Sequence, residues 1–136
     1  TEKAASFELQ KNILQGTPSI IFKRDQCLMF LSVKDYSFVS EKNLSTIFNA
    51  LAHLNIKINL MQNSAISFSI CVDNDPQKIE KLREALKNEF VFRSNENLQL
   101  ITIMNFNVKT VKDLTRNREI LLEQMTRGTF QVVVKE

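Results

Sequence analysis

The spacing of apolar and polar residues changes several times along the chain, and each change marks an element. Ser19-Ile20-Ile21-Phe22 is a short apolar run that stops at Lys23-Arg24-Asp25, and Cys27 to Val33 is a second, almost uniformly apolar one. Such runs predict two strands, the second buried on both faces. No strong period spans Lys34 to Val39, which reads as a loop. Leu44, Ile47, Phe48 and Leu51 then fall at i, i+3, i+4 and i+7, one face of a helix. Ser40 is its expected N-cap. Asn55 is its expected end, because asparagine tolerates the left-handed backbone found there.

At Ile56 the period switches to two: Ile56, Ile58 and Leu60 alternate with Lys57, Asn59 and Met61. Gln62-Asn63-Ser64 is the expected turn. Ile66, Phe68, Ile70 and Val72 then alternate with Ala65, Ser67, Ser69 and Cys71, which completes a hairpin. Asp75-Pro76 opens a second helix, with Ile79, Leu82 and Leu86 as its buried stripe. Phe90 to Arg93 returns to an extended pattern. From Cys27 to about Glu96 the order is β-α-β-β-α-β, the split βαβ or ferredoxin-like unit.

Leu98 to Phe106 is a long apolar strand, Asn107 caps a brief helix through Leu114, and Ile120–Met125 and Thr129–Val134 are strands around Arg127-Gly128. This β-α-β-β series lacks the last helix and strand of a full unit. Ser19–Phe22 supplies the missing edge if the first unit is inserted into the second. The expected class is therefore α+β, with two ferredoxin-like βαββαβ units, the first complete and inserted into a second, shortened one. The expected boundaries are a linker at 1–17, a first unit at 24–97, and a second unit at 18–23 plus 98–136.

Composition removes several functions. Two glycines in 136 residues, Gly16 and Gly128, leave no phosphate-cradling P-loop, no G-x-G-x-x-G turn and no nucleophile elbow. Apolar residues at 43% and charged residues at 24% are ordinary for a globular chain. A net charge of +3, spread along the chain, gives no clustered basic surface and no indication of nucleic acid. No apolar run approaches the ~18–20 residues of a membrane span. Cys27 and Cys71 each sit in an apolar run and read as buried free thiols. With a single histidine there is no metal-ligand pattern. These features fit a cytoplasmic chain. It opens at Thr1 with no signal-peptide pattern, as a trimmed piece of a longer protein would.

Few side chains point to catalysis. Asp73 and Asp75 flank a helix start and read as capping residues, Glu123 as a solvated strand residue or ion-pair partner, and His53 as a structural residue at a helix C-terminus. Lys109, Lys112, Arg116 and Arg118 read as a solvated basic face. The helix start at Ser40–Leu44 beside the amide-bearing turn Gln62-Asn63-Ser64 is different. Open amides receive a carboxylate, and polar turn groups read an ammonium or hydroxyl. Together they suit a small zwitterion such as an amino acid.

The segment Ile56-Lys57-Ile58-Asn59-Leu60-Met61-Gln62-Asn63-Ser64-Ala65-Ile66-Ser67-Phe68-Ser69 resembles the ACT-domain strand pair of aspartokinases, I-x-[VI]-[DN]-[LM] followed by a polar turn. Asn43-Leu44-Ser45-Thr46-Ile47-Phe48-Asn49-Ala50-Leu51-Ala52 resembles the helix F-L-x-x-[VI]-F-x-x-[LF]-A of the same family. Ile120-Leu121-Leu122-Glu123-Gln124 with Thr129-Phe130-Gln131-Val132-Val133-Val134 is similar to the C-terminal end of bacterial monofunctional members. The resemblance runs from about Ser19 to the end.

It implies the tandem ACT regulatory region of an enzyme that phosphorylates L-aspartate with ATP to 4-phospho-L-aspartate. ATP and Mg belong to a separate catalytic domain, so this chain is expected to hold no cofactor and to catalyse nothing alone. The implied partners are a second copy, paired through ACT units, and a feedback amino acid, lysine or threonine, at their interface. The matching positions are Ser37, Ser40, Asn43 and Leu44 in the loop and helix start, and Ile58, Asn59, Gln62, Asn63 and Ser64 on the strand and turn. Main-chain groups at Asn43 and Leu44 are expected to take the effector carboxylate. Ile58 contributes main-chain contacts, and Asn59 and Gln62 face the effector side chain.

Two departures stand out. Glu41-Lys42 replaces a glycine-bearing stretch. Asn59 replaces an aspartate of lysine-sensitive members, which weakens lysine and leaves threonine open. The shortened unit is expected to bind nothing. The alternatives are an ACT-type sensor of another enzyme and an RNA-recognition module. The latter shares the element order but needs a strand of basic, glycine and several aromatic residues, and Ala65–Val72 has one Phe, no Gly and no Arg.

Overall fold

The computed structural model describes residues 17–136. They divide into two compact units: Asp25–Leu98, and the described residues up to Arg24 together with Gln99–Glu136. The linker expected at 1–17 lies outside the described residues except for Thr17. The chain order is β1 (Ser19–Val33), α1 (Glu41–His53), β2 (Ile58–Asn63), β3 (Phe68–Asp73), α2 (Pro76–Leu86), β4 (Phe90–Met104), α3 (Val108–Thr115), β5 (Ile120–Thr126) and β6 (Thr129–Lys135). The class is α+β and the arrangement ferredoxin-like, as the pattern of periods predicts.

Two expected strand breaks are absent. Ser19–Phe22 and Cys27–Val33 belong to one strand of 15 residues, β1. Phe90–Arg93 and Leu98 onward likewise belong to one strand of 15 residues, β4. The polar residues between the apolar runs read as turns in the sequence. In the structure each interruption holds one residue at positive φ, Asp25 at 53° and Asn97 at 59°. Asp and Asn visit the left-handed region more readily than other side chains, so the strand passes through an irregularity without ending.

In the larger unit the strand order is β2-β3-β1-β4. β1 and β3 run antiparallel, with Cys27 opposite Val72 and Met29 opposite Ile70. Cys27, Met29, Leu31, Phe68, Ile70 and Val72 form the sheet side of a core closed by Ile47 and Leu51 of α1 and Ile79, Leu82 and Leu86 of α2. Burying one such leucine contributes about 1.5–3 kcal/mol. Phe48 adds an edge-on contact with Phe68, ring centroids 5.5 Å apart. α1 ends where Asn55 turns to φ 55°. α2 begins at Asp75, whose side chain accepts from the Lys78 N–H, with Pro76 in the first turn, where its missing N–H is harmless. Cys71 lies one position from the Cys27 partner Val72, so the two buried thiols point to opposite faces of the sheet and form no disulfide.

One face assignment needs correction. Ile56, Ile58 and Leu60 were expected to share a face. The β2–β3 register instead shifts between Ile58, opposite Val72, and Leu60, opposite Cys71. Asn59 is the extra residue of a β-bulge, which resets the alternation. Ile56 and Ile58 pack on the helical side, whereas Leu60 turns with Cys71 to the other face.

In the smaller unit the order is β1-β4-β6-β5. Ser19–Arg24 forms its edge next to β4. β5 and β6 make a hairpin closed at Gly128, φ 79°. α3 is capped by Asn107, whose Oδ1 accepts from the Thr110 N–H at 2.8 Å. The core of this unit is Ile101, Ile103, Phe130, Val132 and Val134, with Phe106, Val111 and Leu114 against it. Among the described residues, α3 is the only helix of this unit.

Candidate functional site

The start of α1 is closed by a reciprocal cap. Ser40 Oγ accepts from the Asn43 N–H at 3.2 Å, and Asn43 Oδ1 accepts from the Ser40 N–H at 2.8 Å and from the Ser40 hydroxyl at 2.7 Å. The Asn43 amide nitrogen donates to Glu89 Oε1 at 2.9 Å. The Leu44 N–H donates to the Ser40 carbonyl at 3.0 Å, and the Leu44 side chain packs on the core. The two amides expected to receive a carboxylate, those of Asn43 and Leu44, are thus engaged within the helix itself. The Glu41 and Lys42 N–H groups, in the first turn, have no intrahelical acceptor. Neither residue has a positive φ, so this helix start has no conformational need for a glycine.

The preceding loop is tied down by several main-chain bonds, among them those of Lys34 and Tyr36 to the Glu89 and Val33 carbonyls. Asp35 Oδ1 accepts from the Ser37 N–H at 2.9 Å. The Ser37 hydroxyl, followed by that amide, holds the Asp35 carboxyl below its ordinary range. The Val39 N–H donates to the Ala65 carbonyl at 2.8 Å. That bond brings the Ser37–Ser40 loop beside the β2–β3 turn. Ser64 closes the turn: its N–H donates to the Ser67 carbonyl at 2.9 Å and its Oγ accepts from the Ser67 N–H at 3.1 Å.

The strand residues divide between the two faces. Ile58 packs with the helices. Asn59 and Gln62, the latter opposite Ser69, lie on the other face, and Asn63 sits at the end of β2 opposite Phe68. Within one copy of the chain, the structure therefore gathers Ser37, Ser40, Asn43, Leu44 and Ser64 at one end of the unit. It does not bring the side chains of Asn59 and Gln62 to them.

Asn59 instead joins a polar cluster. Its Nδ2 donates to Gln26 Oε1 at 2.8 Å and to Asp73 Oδ1 at 2.9 Å, and Gln26 Nε2 donates to the same Asp73 oxygen at 2.9 Å. The Cys71 thiol donates to Gln26 Oε1 at 3.4 Å. Asp73, expected to cap a helix, is thus the acceptor of this cluster, and Asp75 alone caps α2. Gln26 is not singled out by the periodicity of the sequence. Its signal is a polar residue heading an apolar strand, where a buried side chain needs partners. His53 sits in the last turn of α1, as expected. Lys109, Lys112 and Arg116 are exposed, but Arg118 donates to Gln99 at 2.9 Å and is not part of a merely solvated face. Glu123 is an exposed residue of β5.

Burial pushes the Cys27 thiol up to about 11, with the Glu96 carboxylate adding to the shift. A thiol held neutral in this way is no nucleophile at ordinary pH. Among the described residues, no group of three His, Cys, Asp or Glu is placed to hold a metal ion, and no helix is long and apolar enough to cross a membrane.

No protein-family model and no curated protein sequence matches the chain. Solved structures do match it. Escherichia coli aspartokinase III in complex with lysine and aspartate is similar over 86% of this chain and 29% of its own, with a TM-score of 0.68 and 19% identity. Clostridium acetobutylicum aspartate kinase is similar over 86% of this chain and 30% of its own, with a TM-score of 0.72 and 15% identity. The regulatory subunit of aspartate kinase from Thermus thermophilus is similar over 85% of this chain and 86% of its own, with a TM-score of 0.62 and 12% identity. The chain thus spans less than a third of the two larger proteins and most of the regulatory subunit. Likeness at such identities establishes the fold, a ferredoxin-like α+β architecture.

Proposed function

We propose that this chain is the amino-acid-sensing regulatory part of an aspartokinase. One observation carries the reading: a complete βαββαβ unit, Asp25–Leu98, stands between the two sequence segments of a second unit. An aspartokinase and a regulatory subunit of aspartate kinase are similar in fold over 85–86% of the chain. Phosphorylation of L-aspartate then belongs to a catalytic domain that binds ATP and Mg, and this chain adjusts that activity.

The effector is a free amino acid held at the Ser37–Leu44 end of the larger unit. The open N–H groups of Glu41 and Lys42 receive its carboxylate, replacing the Asn43 and Leu44 amides that the cap already uses. A second copy, laid along edge strand β2, completes the site by presenting Asn59, Gln62 and Asn63 from its own strand. Threonine suits this site better than lysine. The Asn59 amide donates to Gln26 and Asp73, and position 59 offers no carboxylate to a buried ammonium. Binding favours the inhibited arrangement of the enzyme and shifts the population toward it.

Thermal unfolding of the 136-residue chain with threonine, lysine, methionine and the other amino acids, together with its mass in solution, tests this reading. An effector at about 100 times its dissociation constant adds about 2.7 kcal/mol, a shift of several degrees. The expected result is a dimer whose melting point rises with threonine. A response to lysine alone keeps the regulatory reading and overturns the choice of threonine. A monomer that responds to no amino acid overturns the effector site.

A further inference from the structure

The smaller unit has a cavity of its own, of about 520 Å³, lined by Arg24, Gln99, Arg118, Glu119, Lys135 and Glu136 among others. Every lining residue belongs to this unit. Gln99 is the informative one. It is 6% exposed, a polar side chain on a strand whose neighbours are core residues. Its Oε1 accepts from Arg118 Nη1 at 2.9 Å. Its Nε2 is not among the buried side-chain atoms that lack a partner; it stays open to solvent at the cavity, where a ligand oxygen can take the place of water.

The Arg118 guanidinium carries five N–H donors in a planar fork and gives one nitrogen to Gln99. Its remaining donors and the Gln99 amide form a pair of N–H directions fixed by the bond between them, which suits the two oxygens of a carboxylate. Arg24 and Lys135 add positive charge to the same wall. Lys135 Nζ is 3.9 Å from the Glu119 carboxylate, and both side chains are well exposed. That leaves the lysine weakly paired and places a carboxylate within the cavity for a ligand ammonium.

We propose that this cavity is a second ligand site, independent of the effector site in the larger unit, and that it takes a small amino-dicarboxylate. Arg118 and Gln99 hold one carboxylate, Arg24 and Lys135 hold the other, and Glu119 meets the amino group. The shortened unit, expected from sequence to bind nothing, then has a ligand of its own.

Calorimetric titration of the whole chain tests this with L-aspartate, L-glutamate, succinate and inorganic phosphate at low and high salt. The expected result is saturable binding of an amino-dicarboxylate with a dissociation constant of about 1 mM or tighter, weakened by salt. Arg118→Gln and Gln99→Leu each raise that constant at least about tenfold, and Asn59→Ala in the larger unit leaves it unchanged. Glu119→Gln weakens L-aspartate and L-glutamate but strengthens succinate, which separates a ligand contact from a folding defect. Circular dichroism melts confirm that each variant is folded. Absence of saturable binding by all four probes overturns the proposal, as does equal binding of phosphate and the amino-dicarboxylates. So does binding that survives both Arg118→Gln and Gln99→Leu, or that is lost with Asn59→Ala.

Discussion

Asn59 donates to the Asp73 carboxylate at 2.9 Å across β2 and β3. Asn59 is also the extra residue of the bulge between Ile58 and Leu60. The same nitrogen reaches Gln26 Oε1 at 2.8 Å, and Gln26 returns a bond to Asp73 at 2.9 Å. Gln26 is 1% exposed, so its amide depends on protein partners, these two and the Cys71 thiol among them. The triangle holds the bulge in place, and the bulge decides which face of β2 each later residue occupies.

Asn59→Asp breaks that triangle with a like charge. Asp73 loses a donor, Gln26 Oε1 loses its acceptor role toward Asn59, and two carboxylates meet. Hydrogen bonds to charged groups contribute about 1.5–3 kcal/mol, so a loss of about 2–3 kcal/mol at pH 7 is expected. The pair holds a proton more tightly when folded than when unfolded. Stability is therefore regained as the pH falls below about 4 and lost again as it rises. Urea unfolding at pH 4 and pH 7 reads this directly. A variant as stable as the parent at pH 7 would show that the triangle does not hold the bulge.

The helix cap makes a second, smaller prediction. Ser40→Ala removes the side-chain acceptor for the Asn43 N–H and the hydroxyl bond to Asn43 Oδ1. The expected cost is about 1 kcal/mol. Asn43→Ala loses in addition the bond to Glu89 and should be the more damaging of the two. Denaturant midpoints of both variants check the order, and the reverse order would mean that the Glu89 bond contributes nothing.

Local signals were easy to read in this sequence, and long-range ones were not. Ser40, Asp75 and Asn107 each precede a helical apolar stripe, and each is the N-cap in the structure. A cap and its helix lie within one turn, so the pattern is contiguous. β1 and β4 were divided because Asp25 and Asn97 look like turn residues, and only pairing with neighbouring strands carries the backbone through them. The bulge at Asn59 is set by the partners Gln26 and Asp73, remote in sequence, and no period along β2 announces it. For the candidate site, the sequence points to the Ser37–Leu44 end, but the amides of Asn43 and Leu44 that it offers to a ligand are taken by the cap and the first helical turn. Gln99 and Arg118 carry no joint signal in the sequence, because one looks like a strand residue and the other like part of a solvated basic stretch.

Gly128 closes the β5–β6 hairpin at φ 79°, and a Cβ built there meets nothing within 4 Å. Space is therefore no obstacle, and the penalty for Gly128→Ala is conformational alone, about 1–2 kcal/mol. Gly128→Asn should cost less, because asparagine enters the left-handed region more easily. Thermal melts of the two variants separate strain from crowding. Equal losses would argue that the positive φ is not what the turn demands at position 128.

The Cys27 thiol gives the fold an alkaline limit. Its folded value stands near 11, above the ordinary 9.0, chiefly because of burial. Between these values the unfolded chain releases the proton first, so it binds fewer protons than the native state. The slope of unfolding free energy against pH is then negative, and stability present below pH 9 is lost as the pH rises toward 11. Two pH units at 1.36 kcal/mol each set an upper bound of about 2.7 kcal/mol. Cys27→Ala leaves a small gap in a core shared with Met29, Ile70 and Val72, which lowers stability at every pH but removes this slope. Urea unfolding of parent and variant from pH 8 to 10.5 should show two curves that converge as the pH rises. Parallel curves would mean that the thiol ionises no later in the folded protein than in the unfolded chain.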